Sequence, residues 1–127
     1  MIVIDASAAV AALLNNGPAR RVLASDQLHA PHLVDSEVAN ALRRRVSTAL
    51  LKPEDAWRAL DTWRRLGLAR YGVIGMIERV WLLRNNLSAY DASYVALAEQ
   101  LGCGLLTCDG RLGQAAGLRC PVTVVSG

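Results

Sequence analysis

The chain has 127 residues, 53% of them hydrophobic, with a formal charge of +3 and a sequence pI near 9.1. That length suits one domain, residues 1–127, which buries about two thirds of its unfolded surface and needs no disulfide or structural metal. Cys103, Cys108 and Cys120 form no C-x-x-C pair, which argues against a zinc site or disulfide framework and predicts reduced core residues. No run approaches the ~18 apolar residues of a membrane span, and Asp5 interrupts any leader-like stretch. A soluble, cytoplasmic protein with no membrane partner is expected. Its basic charge is almost all arginine, with Lys52 the only lysine, and arginine is the better residue for bidentate contact with phosphate. An anionic partner would suit it, although a pI near 9 is weak support on its own.

Ile2-Val3-Ile4 reads as a strand buried on both faces, and Asp5 stands where it would stop. Ala6 to Leu14 is rich in Ala, Val and Leu and predicts a helix, ended by Asn15-Asn16-Gly17-Pro18. A short helical piece over Ala19 to Ala24 and a second strand over Gln27 to Ala30 come next. From His32, the apolar positions Val34, Val38, Leu42 and Val46 keep helical spacing, joined by Ala41, Ala49 and Leu50. They predict one long helix that runs until Lys52-Pro53 interrupts it. Pro53-Glu54-Asp55 opens the next helix, whose stripe is Trp57, Leu60 and Trp63 and which ends near Gly67. Both tryptophans are expected to pack in the core or at an interface rather than stack on bases.

Leu68 to Tyr71 is a third strand and Val73 to Leu83 an apolar helix. Ser88 to Leu101 is a further helix, with Gly102 as its stop. Leu105 to Thr107 reads as a strand, Asp109 to Ala116 as a short helix closed by Gly117, and Pro121 to Val125 as a last strand. Strands alternating with helices predict an α/β fold: a three-layer α/β/α domain with a mostly parallel sheet of four to five strands. In such sheets ligands collect outside the carboxyl ends of the strands.

Four acids fall where chemistry could use them. Asp5 ends the first strand and Asp109 follows the strand Leu105 to Thr107. Glu37 rides on the apolar stripe of its helix between Val34 and Ala41, and Asp91 lies in the first turn of its own. Each has a plainer local explanation: Asp5 and Asp109 as N-caps, Asp91 within the Ser88-Ala89-Tyr90-Asp91 capping box. Glu37 is harder to explain locally, because an acid on an inward stripe needs a partner or a cation. Asp26, Asp35, Glu54, Asp55, Asp61, Glu78 and Glu99 read as solvated surface or helix-start residues. Carboxylates from separate elements sharing one pocket are stable only if protonated or filled by a cation. Oxygen ligands without His or Cys point to Mg²⁺ or Mn²⁺ and to phosphodiester hydrolysis.

Four segments together resemble a known family. They are Ile2-Val3-Ile4-Asp5-Ala6-Ser7, Ser36-Glu37-Val38-Ala39-Asn40-Ala41-Leu42, Tyr90-Asp91-Ala92-Ser93-Tyr94-Val95-Ala96-Leu97-Ala98 and Leu106-Thr107-Cys108-Asp109. In this order and spacing, across essentially the whole chain, they resemble PIN-domain ribonucleases, and more narrowly the VapC toxins of toxin-antitoxin pairs. The resemblance implies an acidic site of Asp5, Glu37, Asp91 and Asp109, with Asp5 and Asp91 the surest Mg²⁺ ligands, Thr107 beside the last acid and Ser7 ordering the pocket. It further implies endonucleolytic cleavage of structured RNA such as tRNA or rRNA, a homodimer, and inhibition by a VapB-type antitoxin. Some relatives carry a further acid just past the last motif; Gly110-Arg111 stands there in this chain, which leaves one or two metals open.

Arg43-Arg44-Arg45 follows Glu37 on its helix, and at least one of the three is expected to contact RNA backbone. The helix carrying Trp57 and Trp63, with the long one before it, is the expected antitoxin groove. Two other classes compete. A noncatalytic RNA-binding module on the same fold would not require intact acids. A phosphoacceptor receiver domain needs a lysine after its last core strand, which this chain lacks.

Overall fold

The computed structural model describes residues 1–127. Five short strands build one sheet: β1 (Ile2–Ile4), β2 (Leu28–Pro31), β3 (Leu68–Tyr71), β4 (Gly104–Thr107) and β5 (Val122–Val124). Every pairing is parallel, in the order β3-β2-β1-β4-β5. The helices are α1 (Ala6–Leu14), α2 (Pro18–Ser25), α3 (Leu33–Ser47), α4 (Pro53–Arg64), α5 (Ile77–Leu82), α6 (Ala89–Leu101) and α7 (Gly110–Gln114). Right-handed crossovers carry β1 to β2 to β3 in one direction, then return over the sheet to β4 and β5. They put α1 to α4 on one face and α5 to α7 on the other, and α6 packs across β1, β2 and β4.

The reversal of strand order falls between β1 and β4, the switch point where a parallel sheet opens a crevice. Asp5 leaves β1 and Asp109 leaves β4 at that place. The sheet's centre is dry: Val3, Ile4, Leu105 and Leu106 are buried, as are Val34, Val38 and Leu42 on α3 and most of α6. No helix is long and apolar enough to cross a membrane.

Most element ends agree with the sequence reading to within a residue or two, the usual fraying range. Two helices differ more. α3 stops at Ser47 rather than running to Lys52, because the Ser47 and Thr48 hydroxyls both donate to the Arg44 carbonyl at 2.9 Å. Ala49 then takes a left-handed φ of 59° and turns the chain away, leaving Ala49 and Leu50 exposed rather than on a buried stripe. The helix read over Val73 to Leu83 is a 3₁₀ turn, Ile74–Met76, followed by the short α5.

The Trp57, Leu60, Trp63 stripe is also split. Trp63 is 1% exposed and its Nε1 donates to Asp35 Oδ1 at 2.8 Å, whereas Trp57 is 56% exposed, with the Arg64 guanidinium 5.4 Å from its ring centroid. Two acids read as surface residues are structural. Asp35 accepts both Trp63 and a bidentate Arg70, which ties α3 to α4 and β3. Glu99 accepts a bidentate Arg79 and the Arg119 amide. Burial alone would raise the Glu99 carboxyl, and these donors more than offset it, holding the carboxyl below its ordinary value. The cysteines are free, as expected, but half-buried rather than core.

The two tryptophans give a direct test of the corrected packing. Trp63→Ala should cost about 3–5 kcal/mol in urea unfolding, and Trp57→Ala within about 0.5 kcal/mol. Equal losses would return Trp57 to the core.

Candidate active site

Asp5 does what a helix cap does, and more. Its Oδ1 accepts the Ala8 amide at 2.9 Å, capping α1, and also the Ser7 hydroxyl at 2.7 Å. Its Oδ2 accepts the Thr107 hydroxyl from β4 at 2.5 Å. Thr107 Oγ1 in turn accepts the Asp109 amide at 3.0 Å, and Ser7 Oγ accepts the Cys108 amide at 2.9 Å. Only Asp5, Ser93 and Thr107 are buried polar or charged residues, so two of the three are spent on one another. A cap needs the amide alone; the two hydroxyls hold the carboxylate in a fixed pose.

The other acids arrive from separate elements. Glu37 projects from α3, and its Oε1 accepts the Tyr94 hydroxyl of α6 at 2.5 Å. Asp91 lies in the first turn of α6, where the Ser88 hydroxyl accepts its amide at 3.1 Å, the cap read from the sequence. Asp109 caps α7 through the Arg111 amide at 2.9 Å and pairs with the Arg111 guanidinium at 3.0 Å.

Electrostatics separates the four. Burial raises Asp5 above the ordinary carboxylate range, against the pull of Thr107, Ala8 and Ser7, and the Asp109 charge adds to the rise. Burial raises Glu37 against the Tyr94 hydrogen bond, with Asp91 and Asp5 adding to it. Burial raises Asp91 too, with Asp109 and Asp5 as further causes. Asp109 alone is lowered, chiefly by Arg111. The Tyr94 phenol is pushed far up by burial and by Glu37, so it stays a donor.

The convergence is partial. Glu37 and Ser7 line a cavity of about 370 Å³, while Asp91 and Asp109 line another of about 390 Å³; Asp5 is coupled to acids of both. No three His, Cys, Asp or Glu side chains close into a ready ligand cage. Arg111 neutralises Asp109, whereas Asp5, Glu37 and Asp91 have no ion-pair partner; hydroxyls donate to Asp5 and to one Glu37 oxygen. That donor set fits Mg²⁺ or Mn²⁺, since Mg²⁺ commonly takes one or two carboxylates and fills its other positions with water and substrate phosphate. Arg44 and Arg45 line the Glu37 cavity; Arg43 does not, and its Nε donates to Asn40 Oδ1 at 2.9 Å.

Two partners in this site had no role in the sequence reading. Tyr94 stands one helical turn after Asp91, and Arg111 two residues after Asp109. The i, i+3 spacing was a usable signal for Tyr94; the Arg111 pair leaves none beyond proximity.

The raised Glu37 predicts a pH dependence. The folded state binds that proton more tightly than the unfolded chain, so this contribution to stability is present below the unfolded pKa and lost as pH rises through the folded one. Without divalent ions, Glu37→Gln should therefore gain on the unsubstituted chain in unfolding free energy as pH climbs from the ordinary glutamate value toward neutrality. A difference that is flat with pH would contradict the assignment.

The PIN domain model matches residues 2–118. Ribonuclease VapC9 of Mycobacterium tuberculosis is 59% identical over 125 residues, covering 98% of each chain. Among solved structures, PAE2754 from Pyrobaculum aerophilum superposes with a TM-score of 0.74 at 26% identity, over 95% of this chain and 81% of that one. VapBC2 from Rickettsia felis, bound to a DNA fragment from its promoter, gives 0.70 at 13% identity over 98% and 99%. At 13% the likeness is one of fold. The parallel sheet, the acids at its switch point and the near full-length identity agree: the chain belongs to the PIN-domain family and, within it, to the VapC ribonucleases.

Proposed function

We propose that residues 1–127 act as one PIN domain, the toxic component of a toxin-antitoxin pair, and cleave RNA phosphodiester bonds endonucleolytically with Mg²⁺ or Mn²⁺. The observation that carries this reading is the buried Asp5 carboxylate, fixed by Thr107 and Ser7 and coupled to Glu37, Asp91 and Asp109. Asp5 and Asp91 would hold the ion, with Glu37 and Asp109 completing the acidic site. A divalent ion bound there supplies Lewis-acid polarisation of the phosphoryl group and positive charge for the leaving oxygen.

The chain's own groups do the rest. Thr107 and Ser7 orient the Asp5 oxygens. Tyr94 holds Glu37 Oε1 and leaves Oε2 to accept the proton of the attacking water. Arg111 keeps Asp109 ionised. The arginine run Arg43, Arg44 and Arg45 offers cationic contact to RNA backbone. Structured RNA, tRNA or rRNA, is the substrate class, and the protein works in the cytoplasm as a homodimer. A VapB-type antitoxin inhibits it by docking on the α3 and α4 surface, where Trp57 is exposed.

The test is cleavage of total cellular RNA by the purified protein with Mg²⁺, with chelator, and with Asp5→Asn. Discrete fragments should appear only in the first condition. Thr107→Val should slow their formation by about 10–100-fold, the usual effect of losing a group that orients a ligand. Chelator-insensitive RNA binding without cleavage would instead make the protein a noncatalytic RNA-binding module.

A further inference from the structure

The cavity beside Ser7 and Glu37 has walls that the cleavage chemistry does not use. α3 gives it one continuous face, Glu37, Asn40, Ala41, Arg44 and Arg45, at the i, i+3, i+4, i+7 and i+8 spacing of a helix. Seven residues of helix span about 10 Å. The face therefore carries an acid of the candidate site near one end and two arginines two helical turns further along.

Arg44 and Arg45 are exposed, and neither is in an ion pair. Asn15, just past the end of α1, lines the same cavity, as do the small or apolar Val10 and Ala11 of α1. Asn40 has its Oδ1 taken by Arg43, which leaves its Nδ2 as a donor; Asn15 keeps both donor and acceptor. The volume, about 370 Å³, lies within the range of small-ligand pockets.

Resting on the ribonuclease reading of the acids, we propose that this cavity seats the unpaired nucleotide next to the scissile phosphate. Arg44 and Arg45 hold its phosphate, and Asn15 and Asn40 read its base edge. Apolar side chains, amides and planar guanidinium groups are the surfaces that unstacked RNA bases use, whereas a paired base has its Watson–Crick edge already taken. Free guanidinium groups match phosphate in a bidentate fork. Arg43, tied to Asn40 and outside the cavity, has no part in this clamp.

The experiment pairs binding with cleavage. A randomised single-stranded RNA pool is titrated in Mg²⁺ against Asp5→Asn, alone and combined with Arg44→Ala, Arg45→Ala or the surface control Arg58→Ala. Each of the first two should weaken binding about tenfold and lower the salt slope by about one, and the control should change neither. Separately, otherwise unsubstituted Asn15→Ala and Asn40→Ala cut total cellular RNA, and the fragment ends are sequenced. The base distribution should flatten at one position flanking the cut while cleavage still requires Mg²⁺. Arginine variants that bind like the control, or asparagine variants that keep the original distribution, would overturn the proposal. Arginine variants that keep RNA binding but lose a co-purified antitoxin would overturn it in favour of a protein-docking surface. If the unsubstituted protein cuts no RNA, the ribonuclease reading itself has failed, which the other outcomes leave intact.

Discussion

The Asp5 carboxylate is the constraint on which the site depends. It is 7% exposed, and a buried charge without partners would neutralise or destabilise the fold. Here it is tied to the start of α1 by the Ala8 amide and to the end of β4 by the Thr107 hydroxyl, so one side chain staples two neighbouring parallel strands at their carboxyl ends. The same staple orders the turn between β4 and α7. Ser7 and Thr107 pass the constraint on to the Cys108 and Asp109 amides, which places the last acid by hydrogen bonds rather than by loop length.

The sheet makes this arrangement available. Strand order reverses between β1 and β4, so the helices after these strands lie on opposite faces and leave a crevice between them. Acids brought there from α3 and α6 repel Asp5, and three of the four are raised as a result of burial and of one another. Repulsion of that kind favours a cation. Tyr94 and Arg111 moderate it at the edges, and Asp5, Glu37 and Asp91 are left as the carboxylates without a counter-charge.

α3 carries the second half of the design. Asp35, two residues before Glu37, is clamped by Trp63 of α4 and by Arg70 of β3, which fixes the rotation of the helix about its axis. Rotation decides which arginines face the crevice. With the helix so held, Glu37, Arg44 and Arg45 share one wall and Arg43 points elsewhere.

By itself the sequence determined every strand and helix to within a residue or two, save the end of α3 and the start of α5, along with the parallel α/β class, and it singled out the four acids as candidates. Hydrophobic period, Pro and Gly stops and the family-like motifs are short-range properties, legible in a few neighbouring residues. Only the tertiary structure decided which contacts join distant segments. Thr107 reaches Asp5 across 102 residues of chain and Tyr94 reaches Glu37 across 57, and neither pairing leaves a local trace. The same holds for Trp57 and Trp63, which share a helical stripe yet differ in burial, and for Asp35 and Glu99, whose arginine partners lie on other elements. The face a helix turns inward is legible in its apolar period, but which residues of neighbouring elements meet that face is set by packing across the whole sheet.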